Sequence, residues 1–314
     1  MNATFNSKSV NKKKRSPLMT FCRQWQLYMM VLLPVIYILI FAYGPMGGVV
    51  VAFKDFSIRR GIMGSDWVGL KYFKQFLSTP LFYNLLRNTI IISLYGLIAG
   101  FVMPIILALC LNEIKNILFK KTVQMITYFP YFISTVVMVG IVLQMLNLQG
   151  GFVNNLITLL GGKPINFMGI PKLWRHIYVW SGVWQNTGYG AIIYIAALSG
   201  VDPQLIESAV IDGASRIQRV RHIDLPAIAP TVTIMLILGI GGIMNVGFEK
   251  VYLMQNNLNL DVSEIISTYV YKRGLQHYQY SYSTAVGLFN SIVNFILLLI
   301  ANTVARRIGE SSLW

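Results

Sequence analysis

Residues 207–230 read Glu-Ser-Ala-Val-Ile-Asp-Gly-Ala-Ser-Arg-Ile-Gln-Arg-Val-Arg-His-Ile-Asp-Leu-Pro-Ala-Ile-Ala-Pro, a polar stretch set between long apolar runs. Just ahead of it, Asp202-Pro203 reads as a helix start, with Asp as N-cap and Pro at the first helical position. A short helix is expected through Glu207, Ala209 and Ile211. Gly213-Ala214 follows with little side-chain bulk, and a second helical piece runs to His222. Leu225-Pro226 is expected to end that piece and open the next span, with Pro230 one turn further in. Small residues let a partner's backbone approach, Glu207 and Asp212 supply polar anchors, and flanking prolines stiffen the hairpin. Physical features alone fit two accounts, a docking knob and an ordinary amphipathic loop whose arginines meet lipid headgroups.

The runs on either side set the fold class. The chain is 55% hydrophobic and 12% charged, against roughly 25% charged for a soluble domain. Runs of about 20 apolar residues match the thickness of a bilayer, so the chain reads as an all-α, polytopic membrane protein. Six spans are expected, near Leu27–Val51, Thr89–Leu111, Val123–Leu146, Ile177–Leu198, Ala227–Phe248 and Thr284–Val304. They are helical by necessity, because unpaired backbone groups are too costly in hydrocarbon. Residues 1–26 form a basic tail, 27–304 the six-helix domain with a loop at 200–226, and 305–314 a short C-terminal tail. No small-x-small cleavage site follows the first apolar run, which reads as a retained helix rather than a signal peptide.

The formal charge of +15 lies in short loops and the N-terminal tail, which points to lipid headgroups rather than nucleic acid. Lys8, Lys12, Lys13, Lys14, Arg15 and Arg23 place the N-terminus in the cytoplasm. Six spans return the C-terminus, with Arg306 and Arg307, to the same side, and loop 200–226 faces it too. Cys22 and Cys110 form no disulfide framework or metal spacing. His176, His222 and His277 lack ligand spacing, and no metal site is expected. No phosphate-binding loop is present, since Gly161-Gly162-Lys163-Pro164 lacks the hydroxyl residue and the spacing.

The pattern E-A-A-x-x-x-G followed by I-x-L-P is met by Glu207, Ala209, Gly213, Ile223, Leu225 and Pro226, and Asp212 and Ala214 fit its extended form. Ser208 replaces the usual middle Ala, and Val220 stands where an aromatic is common. Further blocks are Trp25-Gln26-Leu27-Tyr28, Phe53-Lys54-Asp55-Phe56, Trp67-Val68-Gly69-Leu70, Arg87-Asn88-Thr89, residues 245–249 and residues 280–289. Together they resemble the LplB-type permeases, which are similar to the MalF-like subunits of carbohydrate-uptake ABC importers. The resemblance implies a type I importer permease with a MetI-like fold in a bacterial cytoplasmic membrane. It implies as partners a second, unlike permease, two cytoplasmic ATPases, an extracytoplasmic sugar-binding protein and an oligosaccharide substrate. Closure of the ATPase dimer on ATP would push the coupling loop and turn the cavity outward. ATP and Mg then belong to the partner ATPase, and this chain binds no cofactor and is not an enzyme. The tail Ile308–Trp314 reads either as an ATPase contact or as a frayed end.

Polar groups within spans are candidates for a substrate path. Trp184, Gln185, Asn186 and Tyr189 belong to the fourth span, Asn245 and Glu249 to the end of the fifth, and Asn290 and Asn294 to the sixth. In MalF-like permeases the sugar lies between the spans flanking the coupling loop, which maps onto 182–189 and 239–246. The alternative is that these groups bond helix to helix; Asn290 and Asn294, four apart, share one face. Outer segments carry Arg59, Arg60, Lys172, Arg175, Lys272 and Arg273, which fit either an acidic sugar or docking to a binding protein or lipids. A self-sufficient secondary transporter is the rival class, but it calls for inverted repeats and mid-membrane ionisable groups, and neither is evident. A membrane enzyme would need a converging nucleophile, base or metal set, and none assembles.

Overall fold

A computed structural model describes residues 24–308. The basic tail through Arg23 and residues 309–314 lie outside the described residues. The chain divides into two compact units, one ending at Val50 and one beginning at Val51. In the first, a helix Trp25–Ile38 containing Pro34 passes into a π turn at Leu39–Tyr43 and a short turn at Gly44–Met46. Leu33 is 75% exposed and Met30 74%. A helix apolar on all sides is suited to hydrocarbon. The span measured from it, Trp25–Phe53, agrees with the expected first crossing.

The second unit opens with a ribbon of β1 (Lys54–Asp55) antiparallel to β2 (Asp66–Trp67), then α1 (Lys71–Leu77). Phe53 stacks on Trp67 at 5.7 Å between ring centres, which closes the ribbon. The helix α2 (Leu81–Asn112) has 32 residues, eight more on its N-terminal side than expected. The principal packing partner of α2 is α6 (Pro171–Leu198), reached after α3 (Ile117–Tyr128), α4 (Thr135–Met145) and α5 (Phe152–Leu159). Beyond α6 come α7 (Pro203–Ile211), α8 (Arg216–Gly241), α9 (Phe248–Met254), α10 (Ile266–Tyr271) and α11 (Tyr280–Ile308). Among the described residues, four helices are long and apolar enough to cross a membrane, or up to six if each of two bent pairs is one crossing.

Three expected boundaries are corrected. The third span is not one rod over Val123–Leu146, because α3 ends in a tight turn at Phe129–Phe132 and α4 leaves at 101° to it. Pro130 interrupts the ladder, Ile133 is extended, and Ser134 caps α4 by accepting from the Val137 amide at 3.4 Å. The fifth span begins at Arg216 rather than Ala227 and stops at Gly241 rather than Phe248. Gly239, Gly241, Gly242 and Gly247 crowd its end, and glycine costs about 1 kcal/mol each in a helix. Leu225-Pro226 does not end a helical piece. A π turn at Val220–Asp224, in which the Leu225 amide reaches the Val220 carbonyl, absorbs the proline's missing donor and lets the helix run on.

Buried side chains gather in three clusters, around Trp174 with Met138 and Val251, around Phe76 with Tyr282 and Val286, and around Ala191 with Tyr194 and Ile228. Polar bonds pin the segment after α8 onto α2 and α6. Asn88 Nδ2 donates to the carbonyls of Asp261 at 2.9 Å and Glu264 at 3.1 Å, while its Oδ1 accepts from Arg175 at 2.9 Å. Thr89 Oγ1 accepts from the Ile266 amide at 3.1 Å, and Trp174 Nε1 donates to the Met254 carbonyl at 2.9 Å. Asn88→Ala strips all three partners at a buried position. It is expected to cost about 2–3 kcal/mol, since orphaned buried groups carry their full desolvation penalty. The measurement is the thermal denaturation midpoint of the purified protein; a loss no greater than that of the exposed-site control Thr303→Ala contradicts the account.

Candidate functional site

The polar stretch around residues 202–226 folds as a capped elbow. Asp202 caps α7 by accepting from the Gln204 amide at 2.9 Å, with Pro203 following, and α7 stands at 80° to α6. The far end of α7 closes as a Schellman turn: the Ala214 amide donates to the Ala209 carbonyl at 2.9 Å and the Gly213 amide to Val210 at 3.1 Å. Gly213 has φ +78°, and a Cβ built on it meets no atom within 4 Å. Backbone geometry therefore favours glycine here quite apart from any partner. Ser215 then caps α8 in a reciprocal box with Gln218.

Glu207, Ser208, Asp212, Gly213, Leu225 and Pro226 are exposed; Ala209, Ala214 and Ile223 are half-buried. Ser208 folds its hydroxyl back to the Leu205 carbonyl at 3.0 Å, so the departure from alanine is absorbed by its own helix. Ile211 and Ile217 are 85% and 80% exposed, and Leu205 and Val210 join them as uncovered apolar surface. The elbow's root is braced by charge. Glu113, just past α2, accepts from Arg219 at 3.0 Å and lies 3.9 Å from Arg216. Sequence spacing gave no signal for this pair, whose members are 106 residues apart.

A second site is a cavity of about 610 Å³ between the broken third span, α2, α6 and the start of α9. Gln185 and Asn186 line it, together with Tyr131, Phe132 and Lys250. Gln185 also donates to the Ile133 carbonyl at 2.8 Å, repairing the gap in the third span. Other expected passage residues stand elsewhere. Trp184 lines a separate apolar hollow with Ile126, Pro130 and Trp180. Tyr189 stacks on Tyr131 at 3.8 Å. Asn245 Oδ1 accepts from Asn294 at 3.1 Å and Asn290 at 3.3 Å, a bridge to α11, and lies outside the cavity lining. Glu249 is exposed and does not line the cavity. Lys250, next in sequence, does; the available signal was a lone cation between Glu249 and the apolar Val251-Tyr252-Leu253-Met254. Lys250 lies beyond α8, and desolvation lowers its pKa from the ordinary lysine value to about 7.

Several outer basic residues have local partners. Arg60 pairs with Asp66 at 2.6 Å, Lys272 with Glu264 at 2.9 Å, Arg175 bonds Asn88, and Arg273 lies over the Tyr269 ring at 5.2 Å. Two of these four are neutralised by carboxylates, and the other two are held by neutral groups. His176 Nδ1 is 2.9 Å from the Tyr95 hydroxyl, which also accepts from Trp180. Among the described residues no His, Cys, Asp and Glu side chains group as a metal site.

Residues 96–310 match the family described as binding-protein-dependent transport system inner membrane component. The chain belongs to this family, whose members are membrane permease subunits of ABC importers and not enzymes. It is 44% identical over 303 residues to the polygalacturonan/rhamnogalacturonan transport system permease protein YteP of Bacillus subtilis (96% of this chain, 94% of the relative). It is 42% identical to protein LplB of the same organism over 316 residues (98% and 99%). A crystal structure of a bacterial ABC transporter that imports the acidic polysaccharide alginate superposes with a TM-score of 0.86 at 37% identity, covering 94% of this chain and 99% of that one.

Glu113→Gln leaves Arg219, 16% exposed, without its carboxylate. A loss of about 1–3 kcal/mol is expected, below the cost of a fully buried pair because both side chains keep some solvent. The check is a double-mutant cycle with Arg219→Gln read by thermal denaturation; strictly additive losses would remove the brace.

Proposed function

We propose that this chain is one of two membrane permease subunits of an ATP-driven, binding-protein-dependent importer of acidic oligosaccharides. The observation that carries the coupling part is the elbow, a capped helix with an uncovered apolar face joined through Gly213 to a helix that runs unbroken from Arg216 to Gly241. Force on such an element passes into the span instead of being absorbed by a loop. Glu207, Ser208, Ala209, Asp212, Gly213 and Ala214 form the surface a separate ATPase grips. Ile223, Leu225 and Pro226 transmit the push along α8. ATP and Mg are handled by that partner, present in two copies. A second, unlike permease completes the passage, and an extracytoplasmic sugar-binding protein delivers the substrate. The elbow and both termini lie on the cytoplasmic side of a bacterial inner membrane, in keeping with the basic tail.

Support for an acidic substrate comes from likeness to one permease named for polygalacturonan and rhamnogalacturonan and to a transporter of alginate. Gln185 and Asn186 line the passage. Asn245 shapes it from behind by holding the unwound end of α8, and Trp184, Tyr189 and Glu249 flank it.

Gly213→Asn separates backbone need from surface need. Asparagine tolerates the left-handed conformation, so the fold is retained within about 0.5–1 kcal/mol. A side chain nonetheless enters the surface offered to the ATPase. The expected result is a protein that inserts normally but loses most substrate-stimulated ATP hydrolysis in the assembled importer, with Gly213→Asp more severe. Wild-type co-purification and stimulation for both variants would count against a coupling role.

A further inference from the structure

Lys250 enters the cavity from the first turns of α9. Its Nζ donates to the Tyr178 carbonyl at 2.6 Å and lies 4.6 Å from the centre of the Tyr178 ring. An ammonium has three donors, and among the described residues this is the one hydrogen bond it makes. No carboxylate stands within ion-pair distance of it among the described residues. Lysine is a strongly hydrated ion and is rarely buried unless paired. A cation at the wall of a hollow, held by one carbonyl and one ring face and by no carboxylate, keeps donors to offer a ligand.

The surroundings are built to admit it. Gly182, one turn beyond Tyr178 on α6, leaves the space the ammonium fills; a Cβ there would stand 2.9 Å from Nζ. Gly96 and Gly100 on α2 also line the hollow, with nothing within 4 Å of where their side chains would begin. The wall carries hydrogen-bonding groups on Gln185, Asn186, Ser134 and Thr135 and aromatic faces on Tyr131 and Phe132. A volume near 610 Å³ falls in the range of about 300–1,000 Å³ usual for small-ligand sites.

We infer that Lys250 is a specificity-determining residue that contacts a sugar carboxylate in this cavity, setting the permease's own preference for uronate-containing over neutral glycans. The inference rests on the acidic-substrate reading above but places the selection in the membrane domain rather than in the binding protein alone. Amide groups of Gln185 and Asn186 serve hydroxyls, and the ammonium supplies a charge-assisted bond. Loss of proton charge through burial also fits, because an arriving carboxylate favours the protonated amine that the empty hollow disfavours.

The test uses the whole importer in proteoliposomes with its binding protein and ATP. Uptake is measured for galacturonate and alginate oligosaccharides and for their carboxyl-reduced, neutral counterparts. Because every permease variant receives the same binding protein, selection by that protein cancels from comparisons of the acidic-to-neutral ratio. Lys250→Met, which keeps length and apolar bulk, is expected to lower that ratio at least tenfold, and Lys250→Arg to restore part of it. Gly182→Ala displaces the ammonium while keeping the charge, and it is expected to lower the ratio in the same direction should Lys250→Met fail to assemble. A wild-type ratio well above one that Lys250→Met and Gly182→Ala leave unchanged overturns the assignment of Lys250 and leaves the acidic-substrate reading standing. Equal fall of acidic and neutral uptake, with the ratio preserved, likewise assigns Lys250 a structural part only. A wild-type importer that takes both glycans equally, or only the neutral one, overturns both readings.

Discussion

Hydrocarbon offers no hydrogen-bond partner, so every break in a membrane helix must be repaired by the protein itself. Three such interruptions, at Pro130, at Pro226 and after Gly241, fall near the candidate sites. Where the third span stops at Pro130, Gln185 of α6 takes the open Ile133 carbonyl and Ser134 caps the next helix. Where Pro226 removes a donor near the root of α8, a π turn closes the gap. Where α8 unwinds after Gly241, Asn294 accepts from the Met244 amide at 2.9 Å and also ties Asn245 to α11. The first repair lies on the cavity wall, where Gln185 and Ile133 both line the hollow, so one side chain serves both the broken helix and the path.

The second repair has mechanical meaning. A helix that ended at Pro226 would leave a joint between elbow and span. A helix that widens to a π turn and continues keeps the two as one body. The Schellman turn at Gly213 and the reciprocal cap at Ser215 leave few unmade backbone bonds in the elbow, and Glu113 ties its root to α2. Uncovered leucine, valine and isoleucine on such a stiff element fit a surface that another subunit covers.

Among the described residues lining the cavity, Lys250 carries the one charge, and its neighbours on the wall are neutral polar and apolar groups. Four of the outer basic residues, Arg60, Lys272, Arg175 and Arg273, are engaged by Asp66, Glu264, Asn88 and the Tyr269 ring in turn. Counting basic residues along the outer segments therefore overstates the charge offered to a ligand. Lys250 is a single residue in the count, yet it bears on the cavity because its nearest contacts are a carbonyl and an aromatic face.

Composition and short-range pattern were enough for the membrane class, the helical content, the Asp202-Pro203 start of the elbow and the family resemblance. Such features depend on residues within a few positions of each other; Gly213 and Ser215 also act on their own backbone, although their capping roles emerged with the structure. Asn290 and Asn294 could be placed on one helical face for the same reason, and they meet Asn245 from it. Only the tertiary structure decided that Gln185 serves the Ile133 carbonyl, that Glu113 braces Arg219, that Asn245 turns to α11, and that Lys250 rather than Glu249 reaches the cavity. Each of those depends on partners 45 to 106 positions away or on which face of a seven-residue helix is presented. Local periodicity does not encode such distances, because they arise only when helices far apart in sequence are packed together.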